Sequence, residues 1–265
     1  MIIVSDAEAA QAAELAGIDR VFFDLEFINK FERQRGLNTV KSHNHIDQLP
    51  QIRAAVKTSE LLVRTNPINP GIGIEIEKAI EFGAEVLMLP MAVDKGDVEC
   101  FVKNVAGRAK VCIMLESKQS LARADSMLGV DGIDEIFIGL NDLHLGLGLS
   151  FMFEMLSSGL IEFLAEKCRR RGIPFGFGGI ARIGEGLLSA EMILGEHYRL
   201  GSSSVILSRT FKGSEGSSAL SVQSLSQEVR KVRDKEAELR NWSSHEFESN
   251  RVKLIQTVES IVGQF

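Results

Sequence analysis

Four short apolar runs end at Arg64, Pro90, Glu116 and Asp142; with those positions at 64, 90, 116 and 142, every interval between them is 26 residues. That is about the length of one strand, one helix and the two loops joining them. Equal spacing without close identity between copies marks a structural repeat. The runs are apolar throughout rather than alternating, as in strands buried on both faces of a parallel sheet. Counting the same unit outward places eight strands at about 2–4, 21–26, 61–64, 85–89, 109–115, 135–139, 174–178 and 203–207. Eight βα beats predict an α/β chain folded as a (β/α)8 TIM barrel, with its site at the C-terminal ends of the strands.

Between the strands, Ser5 or Asp6 is placed to cap an alanine-rich helix that runs through Leu15 to Gly17. Helical spacing recurs over 48–57, 72–82, 95–105, 118–128, 151–170 and 184–194, and Asn66-Pro67-Ile68-Asn69-Pro70 delays the helix over 72–82. The beat fails from Phe27 to about Asp47. That stretch has no sustained apolar periodicity and carries Lys30, Arg33, Arg35, Lys41, His43 and His45, the signature of a functional or disordered loop. After Gly213 the composition changes again. Residues 1–212 are therefore assigned to the barrel and 213–265 to a helical C-terminal extension. In the extension, Val252, Ile255, Val258 and Ile261 form an apolar stripe that suits either the helix closing the barrel plus one more, or a subunit contact in a homo-oligomer.

A formal net charge of −6 gives no electrostatic reason to expect nucleic acid. No apolar run approaches the roughly 18 residues of a membrane span, and Met1-Ile2-Ile3-Val4 does not read as a secretion signal. Cys100, Cys112 and Cys168 are odd in number and scattered, which argues against disulfides or a zinc cluster and points to the cytoplasm.

Strand-end residues carry the chemistry. Glu116 and Asp142 close neighbouring strands and form a plausible site for a hard divalent cation; the plainer reading is that they cap the following helices. Alternation along strand 2 points Asp24 and Glu26 to one side, as site residues or structural acids. Arg64 has two uses open to it, binding substrate or pairing with Glu26 or Glu116. His43 and His45 lie in the long loop, and His144 follows the second acid on what reads as a flexible loop containing Gly146 and Gly148. Gly176-Phe177-Gly178-Gly179 and Gly201-Ser202-Ser203 support a phosphate-binding barrel, since glycines after strands 7 and 8 let backbone amides approach a phosphate. Lys118 lies past a strand end, which disfavours Schiff-base chemistry.

Leu115-Glu116-Ser117 with Gly139-Leu140-Asn141-Asp142-Leu143 and Gly148 resembles the HpcH/HpaI aldolase and citrate lyase β-subunit family. The resemblance takes in Phe23-Asp24-Leu25-Glu26, Val63-Arg64-Thr65-Asn66 and Met88-Leu89-Pro90, spans about 18–150, weakens over 150–212 and is absent from the tail. It implies Mg2+, Mn2+ or another divalent cation on Glu116 and Asp142, with Arg64 on the substrate carboxylate. The implied activity is class II carbon–carbon lyase chemistry on pyruvate, oxaloacetate or an aldol adduct. An acyl-CoA lyase of the citrate lyase type and a non-catalytic barrel are the other readings. Two positions depart from the family pattern: Phe27 replaces the histidine of one branch and the aspartate of the other after Asp-x-Glu, and Met114 replaces the glutamine common two residues before the metal glutamate. The proton is left to a metal-bound water or to a loop histidine, His43 or His45, and the plainer reading of both histidines is a solvated loop position.

Overall fold

Strand side chains alternate with period two, so an inward column can be followed residue by residue to the barrel mouth. Phe22, Leu62, Val86, Met88, Cys112, Met114 and Phe137 fill the interior. Two residues further along three of those columns come Asp24, Arg64 and Glu116, and along the Phe137 column comes Gly139. The pleat that buries the core thus also sets the polar groups around one rim.

The computed structural model describes residues 1–28, 44–212 and 221–264. Its strands are β1 (Ile2–Val4), β2 (Arg20–Asp24), β3 (Glu60–Arg64), β4 (Val86–Leu89), β5 (Lys110–Leu115), β6 (Glu135–Ile138), β7 (Phe175–Ile180) and β8 (Ser204–Leu207). All pair in parallel with their sequence neighbours, and β8 returns to β1, closing the barrel. Asp24 is in register with Arg64, and Arg64 with Met88. The outer core lies between the strands and the helices α1 (Ala7–Leu15), α2 (Leu49–Ala55), α3 (Ile72–Glu81), α4 (Lys95–Val105), α5 (Lys118–Ala122), α6 (Ala124–Met127), α7 (Leu140–Leu147), α8 (Glu154–Ser157), α9 (Leu160–Arg170) and α10 (Ala190–Leu200).

Several boundaries differ from the sequence reading. The helix expected over 118–128 breaks at Arg123, and that over 151–170 breaks at Gly159, whose φ of 81° suits glycine. The helix expected over 184–194 begins only at Ala190, where Ser189 accepts from the Met192 amide. Gly146 and Gly148 do not belong to a flexible loop: Gly146 lies within α7, and Gly148, at φ 73°, ends it in the left-handed conformation.

The extension forms α11 (Val222–Leu239) and α12 (Ser244–Val262). Helix α11 packs on α1 and α10, the place of the helix that closes the ring, and α12 packs on α10 and α8. Leu225, Val229, Val232, Leu239, Leu254 and Val258 are buried there, while Val252 is 44% exposed. The buried face of α12 is thus rotated from the stripe read in the sequence. Among the described residues no helix is long and apolar enough to cross a membrane.

One anchor of the ring is electrostatic. The Glu14 carboxylate at the end of α1 accepts from the amides of Lys57, Thr58 and Ser59, tying α1 to the turn before β3. Burial works against its charge, but the Thr58, Ser59 and Lys57 amides hold the carboxyl down to about 2. Its folded value lies below the unfolded one, so the stabilisation is complete above the ordinary glutamate range and disappears as pH falls towards 2. Glu14→Gln is expected to cost about 1 kcal/mol at pH 7, a figure already reduced for solvent screening. Urea melts across pH should show that difference vanish in acid.

Candidate active site

Each site residue is delivered by a strand end or by the first turn after it. At the end of β3, Arg64 donates from Nε to Asp24 Oδ1 at 2.9 Å and from Nη2 to Asp24 Oδ2 at 2.8 Å, a two-pronged pair across adjacent strands. Nη2 also lies 3.4 Å from Glu26 Oε2. Asp24 and Glu26 are 1% and 2% exposed, so the pair is shielded from water. Burial disfavours the guanidinium charge, and Asp24 and Glu26 more than offset it, so Arg64 stays protonated. Its remaining nitrogen, Nη1, rests 3.7 Å from Met114 Sδ. The two-pronged edge of the guanidinium is therefore spent on Asp24, and Nη1 is left against the Met114 thioether. Of the pairings read from sequence, the one to Glu26 is present, and Asp24 is the principal partner.

Glu116 follows β5 and is 2% exposed. Its Oε1 accepts from the Met91 amide at 2.8 Å. Met91 has φ 53°, a left-handed conformation uncommon without glycine, and this strained turn aims its N–H at the carboxylate. On the other side Gly139 leaves room: a Cβ there would lie 2.7 Å from both Glu116 Cβ and Oε2. Asp142 stands in the first turn of α7, the end of a helix that favours negative charge. Burial and the nearby charge of Glu26 push the Glu116 carboxyl up to about 8, with Arg64 opposing and Asp142 adding.

Glu116 and Asp142 both line two neighbouring cavities at the mouth, of about 290 and 340 Å³. Asp24 and Arg64 line the second of these with them. This set fits a hard divalent cation on three counts. Its donors are carboxylate oxygens, burial and the neighbouring Glu26 charge disfavour the Glu116 anion, and both groups line shared space. Among the described residues no three His, Cys, Asp or Glu side chains form a ready cage. A cation here would keep water or substrate in its other positions, as Mg2+ does.

Other expected site residues fall elsewhere. His45 caps the short turn Ile46–Gln48 and pairs with Asp47 at 3.1 Å, its side chain 73% exposed. His43, Lys30 and Arg33 lie outside the described residues. Among the described residues no histidine lines the cavity shared by Arg64 and Glu116. His144 sits within α7, its Nδ1 3.1 Å from the Leu140 carbonyl oxygen. Gly176, Gly178 and Gly179 lie inside β7 rather than after it, and a Cβ at Gly176 or Gly178 would meet Ser204 Oγ or Leu140 Cδ1 at 2.0 or 2.6 Å. Close packing accounts for those two glycines without a phosphate. Asn66 escaped the sequence reading as a site element: its Oδ1 accepts from the Phe27 and Ile28 amides, fixing the exit from β2, and Glu75 holds it from behind. A strand-end asparagine before proline carried no distinguishing signal.

Several solved structures share the fold. An HpcH/HpaI aldolase from Desulfitobacterium hafniense DCB-2 is 14% identical at a TM-score of 0.60, covering 92% of this chain and 93% of that one. An HpcH/HpaI aldolase/citrate lyase family protein from Burkholderia cenocepacia J2315 is 17% identical at 0.58, covering 91% and 93%. The citrate synthase SbnG is 16% identical at 0.62, covering 89% and 93%. In sequence, 77 residues are 38% identical to a hydroxypyruvate/pyruvate aldolase of Rhizorhabdus wittichii, covering 26% of this chain and 31% of that relative, so the chain spans about a third of the curated protein it matches. Residues 2–155, more than half of the chain and all of the elements that carry Asp24, Arg64, Glu116 and Asp142, match the HpcH/HpaI aldolase/citrate lyase description, and the chain belongs to that family.

Proposed function

We propose that the protein is a divalent-metal-dependent carbon–carbon lyase of the aldolase type, acting on a small 2-oxo acid such as pyruvate or oxaloacetate, or on its aldol adduct. The observation that carries this reading is that Arg64, Glu116 and Asp142 line one cavity at the C-terminal mouth. Glu116 and Asp142 would hold Mg2+ or Mn2+, which when bound supplies Lewis acidity at the keto oxygen and stabilises enolate charge as it develops.

The chain's own residues do the rest. Asp24 locks the guanidinium of Arg64 with Nη1 against the Met114 thioether, which the substrate carboxylate would displace. Met91 N–H holds one oxygen of Glu116, and Gly139 leaves the space that the other occupies. In cleavage, the bond between C3 and C4 of the adduct breaks and its electron pair remains on C3 as the enolate. The C4 hydroxyl loses its proton and becomes the aldehyde carbonyl; addition is the reverse, and no redox partner enters. No described histidine lines the cavity, so His45→Ala is expected to retain more than half of wild-type turnover. Loss beyond tenfold would instead make His45 the base.

Exchange of the pyruvate methyl protons with deuterium tests the reading without knowledge of the acceptor. NMR should show exchange that requires added Mg2+ or Mn2+ and falls at least a hundredfold in Glu116→Gln, about the loss expected when a positioned electrostatic group is removed. Exchange indifferent to metal and to Glu116 would refute it.

A further inference from the structure

Helix α3 sends an acid back to the strand that precedes it. Glu75 stands in the first turn of α3, whose N-terminal residue Gly71 caps it with no side chain. Its carboxylate turns to Asn66, nine residues earlier: Oε1 accepts from the Asn66 amide at 2.7 Å and Oε2 from Asn66 Nδ2 at 2.9 Å. Asn66 Oδ1 accepts in turn from the Phe27 and Ile28 amides at 3.0 and 3.1 Å. A carboxylate on one side and two N–H donors on the other leave the side-chain amide of Asn66 a single orientation. Asn66 is 3% exposed, so water does not replace a lost partner.

These bonds carry the pairing of β2 with β3 past the ends of both strands. Asp24 is in register with Arg64, and the Leu25 amide donates to the Arg64 carbonyl oxygen at 2.9 Å. In a continuing parallel ladder the Phe27 amide would go to the backbone carbonyl of Asn66, and the side-chain oxygen takes that place. Glu26 lies between the two anchors. Its amide donates to Asp24 Oδ1 at 3.1 Å, and its carboxylate lies 3.4 Å from Arg64 Nη2. The acids that hold the guanidinium thus sit on a stretch of chain hung from Arg64 at one end and from Asn66 at the other. We propose that Asn66 and Glu75 are positioning residues for Arg64: together they set the path of residues 24–28, and so the hold of Asp24 and Glu26 on the guanidinium. On the reading of the protein as a lyase, the pair governs binding of the 2-oxo acid carboxylate and not of the metal, since neither residue lines the cavities shared by Glu116 and Asp142. Phe27 contributes its amide to this arrangement, while its side chain is largely exposed.

The donor and acceptor roles of the pair can be exchanged, a test that loss of packing would not mimic. In Asn66→Asp a carboxylate oxygen replaces Nδ2 and faces the Glu75 carboxylate. In Glu75→Gln the new amide, turned either way, sets a donor against a donor, because both Glu75 oxygens accept. In the double variant Asn66→Asp, Glu75→Gln the glutamine amide donates to the aspartate, and the Phe27 and Ile28 amides keep their acceptor. With the full-length Mn2+-loaded protein, each single variant is expected to raise the pyruvate KM of methyl-proton exchange about tenfold, the scale of one charge-assisted hydrogen bond, with kcat changed by less than about threefold. The double variant should bring KM back to within about threefold of wild type, the coupling expected of two residues in contact. Mn2+ affinity should be equal in all four proteins. A second readout needs no turnover: in metal-free protein the proton–nitrogen NMR correlation of Arg64 Nε–H, assigned by its loss in Arg64→Lys, should move in both single variants and return in the double one. Should Asn66→Asp fail to fold, Glu75→Gln and the double variant make the same comparison. An unchanged KM with an unmoved Arg64 signal, or single-variant defects that persist in the double variant, overturn the proposal. If wild type shows no exchange, the lyase reading fails and the Arg64 signal alone decides the positioning role. If exchange is present while KM and the signal ignore the substitutions, the lyase reading stands and the positioning role falls.

Discussion

Asp24→Ala is expected to destabilise the protein by about 3–5 kcal/mol and to raise the KM for a 2-oxo acid at least tenfold. The first effect follows from burial. Asp24 is 1% exposed and takes two hydrogen bonds from Arg64, whose own side chain is 11% exposed. Removing one member of a buried pair leaves the other charge without solvent or partner, which costs far more than the net worth of the pair. Glu26, 3.4 Å from Nη2, is placed to take over part of that role, which favours the lower end of the range. It would also swing the guanidinium away from the cavity, and the second effect follows from that rotation. Urea melts read the first and steady-state kinetics the second. Full stability in Asp24→Ala would mean that the two-strand clamp contributes nothing.

Gly139→Ala should cost about 1–3 kcal/mol in stability and at least a hundredfold in pyruvate proton exchange. The backbone at Gly139 has φ −83°, which alanine adopts without strain, so the effect is purely steric. The added methyl would lie 2.7 Å from Glu116 Cβ and Oε2 and 3.1 Å from Met114 Cε. Relief requires Glu116 to shift, and overpacking of this kind typically costs that much. A misplacement on the ångström scale is enough to lose two orders of magnitude in rate. Gly148→Ala is the contrasting variant. Its φ of 73° strains an alanine, yet nothing lies within 4 Å, so stability should fall by about 1 kcal/mol with little change in exchange.

The barrel was legible because its signal is additive over many residues: repeated apolar runs at a constant interval admit few other topologies. The rim was legible for the same reason, since alternation carries Phe22 to Asp24, Leu62 to Arg64 and Met114 to Glu116 on one face. What the sequence withheld depends on contacts between elements. That Arg64 turns its fork to Asp24 rather than to the cavity follows from the register of β2 on β3 and from the depth of burial. The helical setting of Asp142 was hidden by Gly146 and Gly148, which read as loop residues although one lies within the helix and the other ends it. The glycines of β7 carried a phosphate reading in sequence and a packing role in space, because Ser204 and Leu140 approach them from elements distant in the chain.

Titration with Mn2+, followed by the enhancement of water-proton relaxation, examines the joint role of Glu116 and Asp142 most directly. One tight site in the wild type, weakened at least tenfold in Glu116→Gln and likewise in Asp142→Asn, is the expected result. Equal Mn2+ affinity in the wild type and both variants would contradict the account.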